Sequence, residues 1–210
     1  MYVPGYSKLE NPEAICEIIA KNSFATLVVS DSREFQVVHI PIVIASKEPL
    51  VLAGHVAKAN PIWKLFDGDS HALAIFMGSH GYVSPSMYLS RPNVPTWNYA
   101  TVHAKGTLEI VEDSVAVVEH LRDMIHFFDP TLIDTHPEAL EWDYVERISK
   151  GVVVFKMAVS TLEAKHKMNQ NKSQEDRTSV ISCLVETQEP DQQALASWMQ
   201  HWADPNPSGP

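Results

Sequence analysis

The chain has 210 residues, 45% of them apolar, which suits one globular domain with a sizeable buried core and argues against fibrous, disordered or membrane-embedded classes. Its 16 basic and 26 acidic residues leave a formal charge of −10, which argues against a broad nucleic-acid face. A single phosphate can still be held by a few local cations and N–H groups.

Two cysteines, Cys16 and Cys183, share no short-spacing motif and read as free thiols of a reducing, cytoplasmic compartment. The opening stretch MYVPGYSKLENPEA lacks a basic-then-apolar leader, and no apolar run approaches the ~20 residues of a membrane span.

In chain order, Asn11-Pro12-Glu13 predicts a helix start, with Ile15, Ile18 and Ile19 as its apolar stripe. Strands are expected over Ser23–Ser30, Gln36–Ala45 and Leu50–His55, with a turn at Asp31-Ser32-Arg33-Glu34. Pro41 restricts pairing and points to an edge or bulge. Asn60-Pro61 opens a short helix through Phe66, and His71–Met77 is a further strand. Gly78–Pro95, rich in Gly, Ser, Pro and Tyr, reads as a long ordered loop.

Trp97–Val111 alternates clearly. It sets Ala100, Val102, Ala104, Leu108 and Ile110 on one face and Trp97, Tyr99, Thr101, His103, Lys105 and Thr107 on the other. Helices follow over Asp113–Phe128, striped by Val117, Leu121, Ile125 and Phe128, and over Pro137–Ile148. Val152–Val159 is the last core strand, and Glu163–Lys172 reads as a polar, partly basic loop. A C-terminal helical extension covers about 173–203, capped by Ser173 and striped by Leu195, Trp198, Met199 and Trp202. The tail Asp204–Pro210 is expected to be disordered.

The fold class that follows is mainly β with helices: a six-stranded antiparallel barrel with peripheral and C-terminal helices, as a single domain over 1–203. No GxGxxG, P-loop, G-x-S-x-G, HExxH or C-x-x-C-H pattern occurs, so nucleotide folds, hydrolase elbows and motif-defined metal sites lack support, and no metal is expected.

Five segments in fixed order resemble the PaiB family. They are Met1-Tyr2-Val3-Pro4; Gly54–Pro61 with Trp63; Gly78–Ser86 with Tyr88; Val94-Pro95-Thr96-Trp97-Asn98-Tyr99; and Lys165–Lys172. One departure is Met168-Asn169-Gln170-Asn171, where the family usually has Leu-Ser-Gln-Asn. The resemblance implies an FMN-binding split barrel, homodimeric with flavin at the subunit interface, and a negative regulator of protease and sporulation genes. Two alternatives stay open: a flavin-dependent oxidoreductase on the same barrel, and a haem-binding or haem-degrading protein. Direct DNA binding is the weakest part of the regulator reading, since the chain is acidic and shows no helix-turn-helix.

An FMN site needs cations or N–H donors for the phosphate, a flat wall for the isoalloxazine, and hydrogen-bond partners for its edges. For the phosphate the candidates are His55, Lys58 and Asn60. The structural alternative makes Asn60 a helix cap and Lys58 a solvated charge. His39 points away from Ile40, Ile42 and Ile44, toward a ligand or a dimer seam, or serves as a structural histidine. Ser79, His80, Tyr82, Ser84 and Trp97 are candidates for the ring, with ordinary aromatic packing as the alternative. Lys165, Gln170, Asn171 and Lys172 are candidates supplied from a partner subunit, or else a solvated loop.

Overall fold

The computed structural model describes residues 1–30 and 34–202. Six strands close into an antiparallel barrel: β1 (Phe24–Ser30), β2 (Phe35–Lys47), β3 (Leu50–Ala57), β4 (Asp67–Val83), β5 (Thr96–Ile110) and β6 (Val152–Lys167). The order around the barrel is β1-β2-β3-β6-β5-β4.

Alternation builds these strands. Along β1, Ala25, Leu27 and Val29 are buried between more exposed neighbours. Along β5, Asn98, Ala100, Val102, Ala104 and Leu108 have no exposed surface. Each large apolar side chain so buried contributes about 1.5–3 kcal/mol. Ile110, placed on the same face by its spacing, is 36% exposed because β5 ends there. Thr101, on the opposite face, is also buried, and its hydroxyl donates to Phe76 O at 3.0 Å.

Pro41 lies inside β2, at a local edge, with a strand partner on the β1 side and none in the β3 register. Residues Phe35 to Pro41 pair with β1, and from Ile42 onward β2 pairs with β3. The residue without an N–H thus stands where the strand passes from one neighbour to the other. The irregularity in β2 falls later, between Ile44 and Ser46.

The α-helices are α1 (Pro12–Lys21), α2 (Ser114–Phe128), α3 (Leu132–Thr135), α4 (Trp142–Ser149), α5 (Gln174–Val185) and α6 (Pro190–His201). Their starts follow the capping chemistry. Asn11 Oδ1 accepts from the Glu13 and Ala14 N–H groups, Asp113 Oδ1 from Ala116 N–H, and Ser173 Oγ from Asp176 N–H. The helix expected over Pro137–Ile148 is instead a 3-10 turn (Pro137–Leu140) followed by α4, with Glu141 extended between them. Asn60-Pro61 likewise opens only a 3-10 turn, Pro61–Leu65.

Two segments read as loops are strand. β4 continues through Gly78–Val83 and β6 through Glu163–Lys167. Gly78 and Gly81 are there for closeness and not for turning. A Cβ on Gly78 would lie 3.1 Å from Ala100 O, and one on Gly81 would lie 3.0 Å from the Leu195 side chain. The expected turn residues Asp31, Ser32 and Arg33 and the tail Asp204–Pro210 lie outside the described residues.

The backbone divides into two compact units. The first comprises Met1–Asn22, Ile75–His103 and Leu162 onward; the second comprises Ser23–Ala74 and Ala104–Thr161. In the first, Ile18, Ile19, Phe76, Met168, Leu184 and Leu195 are fully buried. In the second, Leu27, Ile42, Leu52, Phe155 and Met157 are fully buried, and Phe66 meets Phe155 edge to face with centroids 5.0 Å apart. Val118 and Leu121 of α2 pack with Val145 of α4 and with Val152. Among the described residues no helix is long and apolar enough to cross a membrane, and no cluster of three or more metal-ligating side chains occurs.

Candidate functional site

In the first unit, Trp97 at the start of β5 and Tyr82 near the end of β4 are 54% and 42% exposed, although both sit on regular strands. His80, on the same face of β4 as Tyr82, stacks on Trp97 with centroids 6.3 Å apart and planes 28° from parallel. Tyr82 approaches Trp97 edge-on, also at 6.3 Å. His80 Nδ1 lies 3.1 Å from Gly78 O. A carbonyl only accepts, so Nδ1 carries the hydrogen of this contact. The result is an exposed aromatic cluster in which His80 lies against the Trp97 ring and Tyr82 meets it edge-on.

The neighbouring 84–93 segment is fastened to residues 168–179. Ser84 Oγ caps the short turn by accepting from Ser86 N–H. The Asp176 carboxylate accepts from the Leu89 and Ser90 N–H groups, at 2.8 and 2.9 Å, and from the Ser90 hydroxyl. The Ser90 hydroxyl first, and then the backbone donors, hold that carboxyl below the ordinary carboxylate range. Ser179 donates to Met87 O, and the Tyr88 hydroxyl donates to Asn169 Oδ1. The Lys172 ammonium donates to Asn93 and lies 5.2 Å from the Tyr88 ring centroid.

Lys165 and Gln170 spend their side chains within this unit. Lys165 is only 8% exposed; its ammonium donates to Tyr2 O at 3.2 Å and faces the rings of Tyr2 and Tyr99. Gln170 Oε1 accepts from Met168 N–H at 2.8 Å, which turns its amide nitrogen toward His166 Nδ1 at 3.2 Å. His166 Nδ1 is therefore an acceptor and the ring hydrogen sits on Nε2. Burial, and then the Arg177 cation, push this imidazole down to about 4, so it is neutral at pH 7. Four buried polar atoms here have no partner among the described residues: His166 Nε2, Trp198 Nε1, Asn98 Oδ1 and Asn169 Nδ2. Asn169 also holds the left-handed conformation, with φ 62°. Ser79 is half-buried on β4, and Asn171 is exposed.

In the second unit, His39 is exposed on β2, and its Nδ1 lies 3.0 Å from the Oγ1 of Thr26, its partner across β1. The other phosphate candidates follow β3. Lys58 is exposed, and its carbonyl accepts from Trp63 Nε1–H at 3.0 Å. Asn60 Oδ1 accepts from Ile62 N–H and so acts as a cap. His55 is half-buried in the wall of an apolar cavity, with Nδ1 3.3 Å from His120 Nε2. Burial lowers His55. Burial, then the facing His55 and Lys156, lower His120 to about 4.

The structure thus brings His80, Tyr82 and Trp97 into one aromatic face. It places Lys165, Gln170 and Lys172 in the fastening of their own unit, and it pairs His39 with Thr26 and with no other candidate. Sequence reasoning missed His120, His166, Asn169 and Asp176 as site-building residues. Two of them left a signal: Asn169 as the departure from the family pattern, and Asp176 as an acid in the first turn of a helix, which pointed to the helix dipole. Within the first unit, the residues present fit a flavin in one respect: exposed aromatic surface on β4 and β5 for the ring.

Residues 1–161 match the family described as "Putative FMN-binding domain". The chain is 34% identical over 207 residues to the Bacillus subtilis protein named protease synthase and sporulation protein PAI 2, covering 95% of this chain and 97% of that one. It is 27% identical to an uncharacterized protein of Emericella nidulans, with 82% and 81% covered. Among solved structures it is similar to the flavocytochrome Anf3 of Azotobacter vinelandii, with TM-score 0.62, 14% identity, and 84% of this chain and 78% of that one covered. It is also similar to a FAD- and haem-binding protein of Mycobacterium smegmatis, with TM-score 0.60, 12% identity, and 82% and 79% covered. At those identities the likeness is one of fold. The six-stranded barrel, the aromatic face on β4 and β5, and the matches over most of the sequence place this chain in the PaiB-like FMN-binding domain family.

Proposed function

We propose that the protein binds FMN as a homodimer and acts as a PaiB-like negative regulator of transcription. The observation that carries the flavin part is the exposed Trp97–Tyr82–His80 face, which leaves large apolar surface uncovered on ordered strands. Trp97 offers its face to the isoalloxazine, with Tyr82 and the His80 imidazole beside it at the ring edge. Bound flavin supplies reversible electron storage. Trp97, Tyr82 and His80 orient it and cover one face from water. The acidic chain favours regulation through flavin redox state or a protein partner over direct contact with DNA.

The test is a titration of flavin fluorescence with purified protein. Trp97→Ala is expected to weaken FMN binding roughly tenfold, as loss of one stacked aromatic costs about 1–1.5 kcal/mol. A wild-type protein that rejects FMN sinks the proposal. Light scattering tests the dimer: a mass near 23.5 kDa at all concentrations contradicts it. A gel shift on the promoter region at low salt separates direct from indirect regulation.

A further inference from the structure

The second unit holds a cavity of about 450 Å³ that the flavin proposal does not use. Pro41 of β2 and His55 of β3 line one side, Leu121, Met124 and Phe128 of α2 another, and Ile148 of α4 completes the wall. We infer that this cavity is a binding site for an uncharged, ring-sized apolar molecule carrying one hydroxyl or amide, which hydrogen-bonds to His55.

Size and lining set the class. The volume lies within the ~300–1,000 Å³ of small-molecule pockets, and apart from His55 and Asp129 every lining side chain is apolar. The lining holds no lysine or arginine, and its one formal charge is the Asp129 carboxylate, so a phosphate or carboxylate ligand meets no cation there. His55 is the polar anchor. Its Nδ1 is committed to His120, which lines a different cavity, so Nε2 is the ring nitrogen left for an occupant. Whether Nε2 donates or accepts follows from which histidine holds the shared hydrogen, and a hydroxyl or primary amide satisfies either case. Burial disfavours the charged form of both imidazoles, consistent with an uncharged ligand.

The walls are firmly seated. Leu121 packs with Val118 and Val145 in the seam between α2 and α4. Phe128, on the apolar stripe of α2, nevertheless remains 52% exposed and lines this cavity. A mere packing irregularity between helices and strands needs no polar group, whereas here an imidazole with one committed nitrogen stands in an otherwise apolar wall.

The probe is 1-naphthol, an uncharged ring compound with one hydroxyl, whose binding is followed by titration calorimetry on dilute full-length protein with and without saturating FMN. One probe per chain is expected, unchanged by FMN. Ile148→Trp, at a position already 40% exposed and therefore tolerant, is expected to weaken the probe at least tenfold by filling the cavity. His55→Phe is expected to weaken it roughly two- to tenfold through loss of the anchor. Circular dichroism confirms that each variant is folded. No binding to the wild type, or binding indifferent to both variants, overturns the inference. Displacement by FMN overturns it too, since the cavity then belongs to the flavin site. So does binding that disappears as protein concentration rises, since a second copy then covers the cavity.

Discussion

Acid should weaken the first unit through one imidazole. His166 is 1% exposed, and its value falls from the ordinary 6.5 to about 4 because burial, and then Arg177, oppose its charge. The neutral ring is the form the fold accepts. Its contribution is therefore complete above pH 6.5 and is lost as pH falls from there through about 4, because the unfolded chain takes up a proton that the folded chain resists. The span from 6.5 to about 4 corresponds to about 3 kcal/mol, of which about 2 kcal/mol is lost by about pH 5. The assay is urea unfolding at a series of pH values for the wild type and for His166→Asn, which keeps an acceptor for Gln170 but does not titrate. His120 titrates in the same window, so the difference between the two proteins isolates His166. Wild type should lose about 2 kcal/mol more than the variant between about pH 7 and about pH 5. Parallel pH profiles would refute the reasoning.

Three further substitutions probe the frame. Asp176→Ala leaves the Leu89 and Ser90 N–H groups without their acceptor and should lower Tm by several degrees and increase proteolysis within 84–95; an unchanged cleavage pattern contradicts the fastening described above. Gly106→Ala sets a Cβ 1.9 Å from Ala158 O, where two strand backbones meet, and is expected to abolish soluble expression or cost about 3 kcal/mol or more; a Tm close to wild type counts against that register. Asn169→Gly relieves the left-handed backbone but gives up the Tyr88 contact, so denaturant unfolding should show a change within about 1 kcal/mol, whereas Asn169→Val should cost about 2 kcal/mol or more.

The barrel was legible because its strands alternate and its helices carry their own caps. Asn11, Asp113 and Ser173 each perform the local hydrogen bond that their positions announce. The misread segments are those where a long-range contact overrides local composition. Gly78 and Gly81 look like turn residues, yet they admit Ala100 and Leu195 to close packing. Lys165 and Gln170 look solvated, yet Tyr2, Tyr99 and His166 lie against them. The family motifs pointed to the aromatic face from its residues. The His55–His120 pair spans 65 positions, and the Asp176–Ser90 bond spans 86; no periodicity connects residues so far apart. The Asn169 departure has a local explanation, since Asn tolerates the left-handed region better than Ser and its oxygen still serves Tyr88.

The most direct test of the central claim is the absorbance spectrum of the purified protein, before and after addition of FMN and desalting. Flavin bands retained at about one per chain, and reduced in Trp97→Ala, are the result that the exposed aromatic face requires. A folded protein that remains colourless after FMN and desalting contradicts the claim.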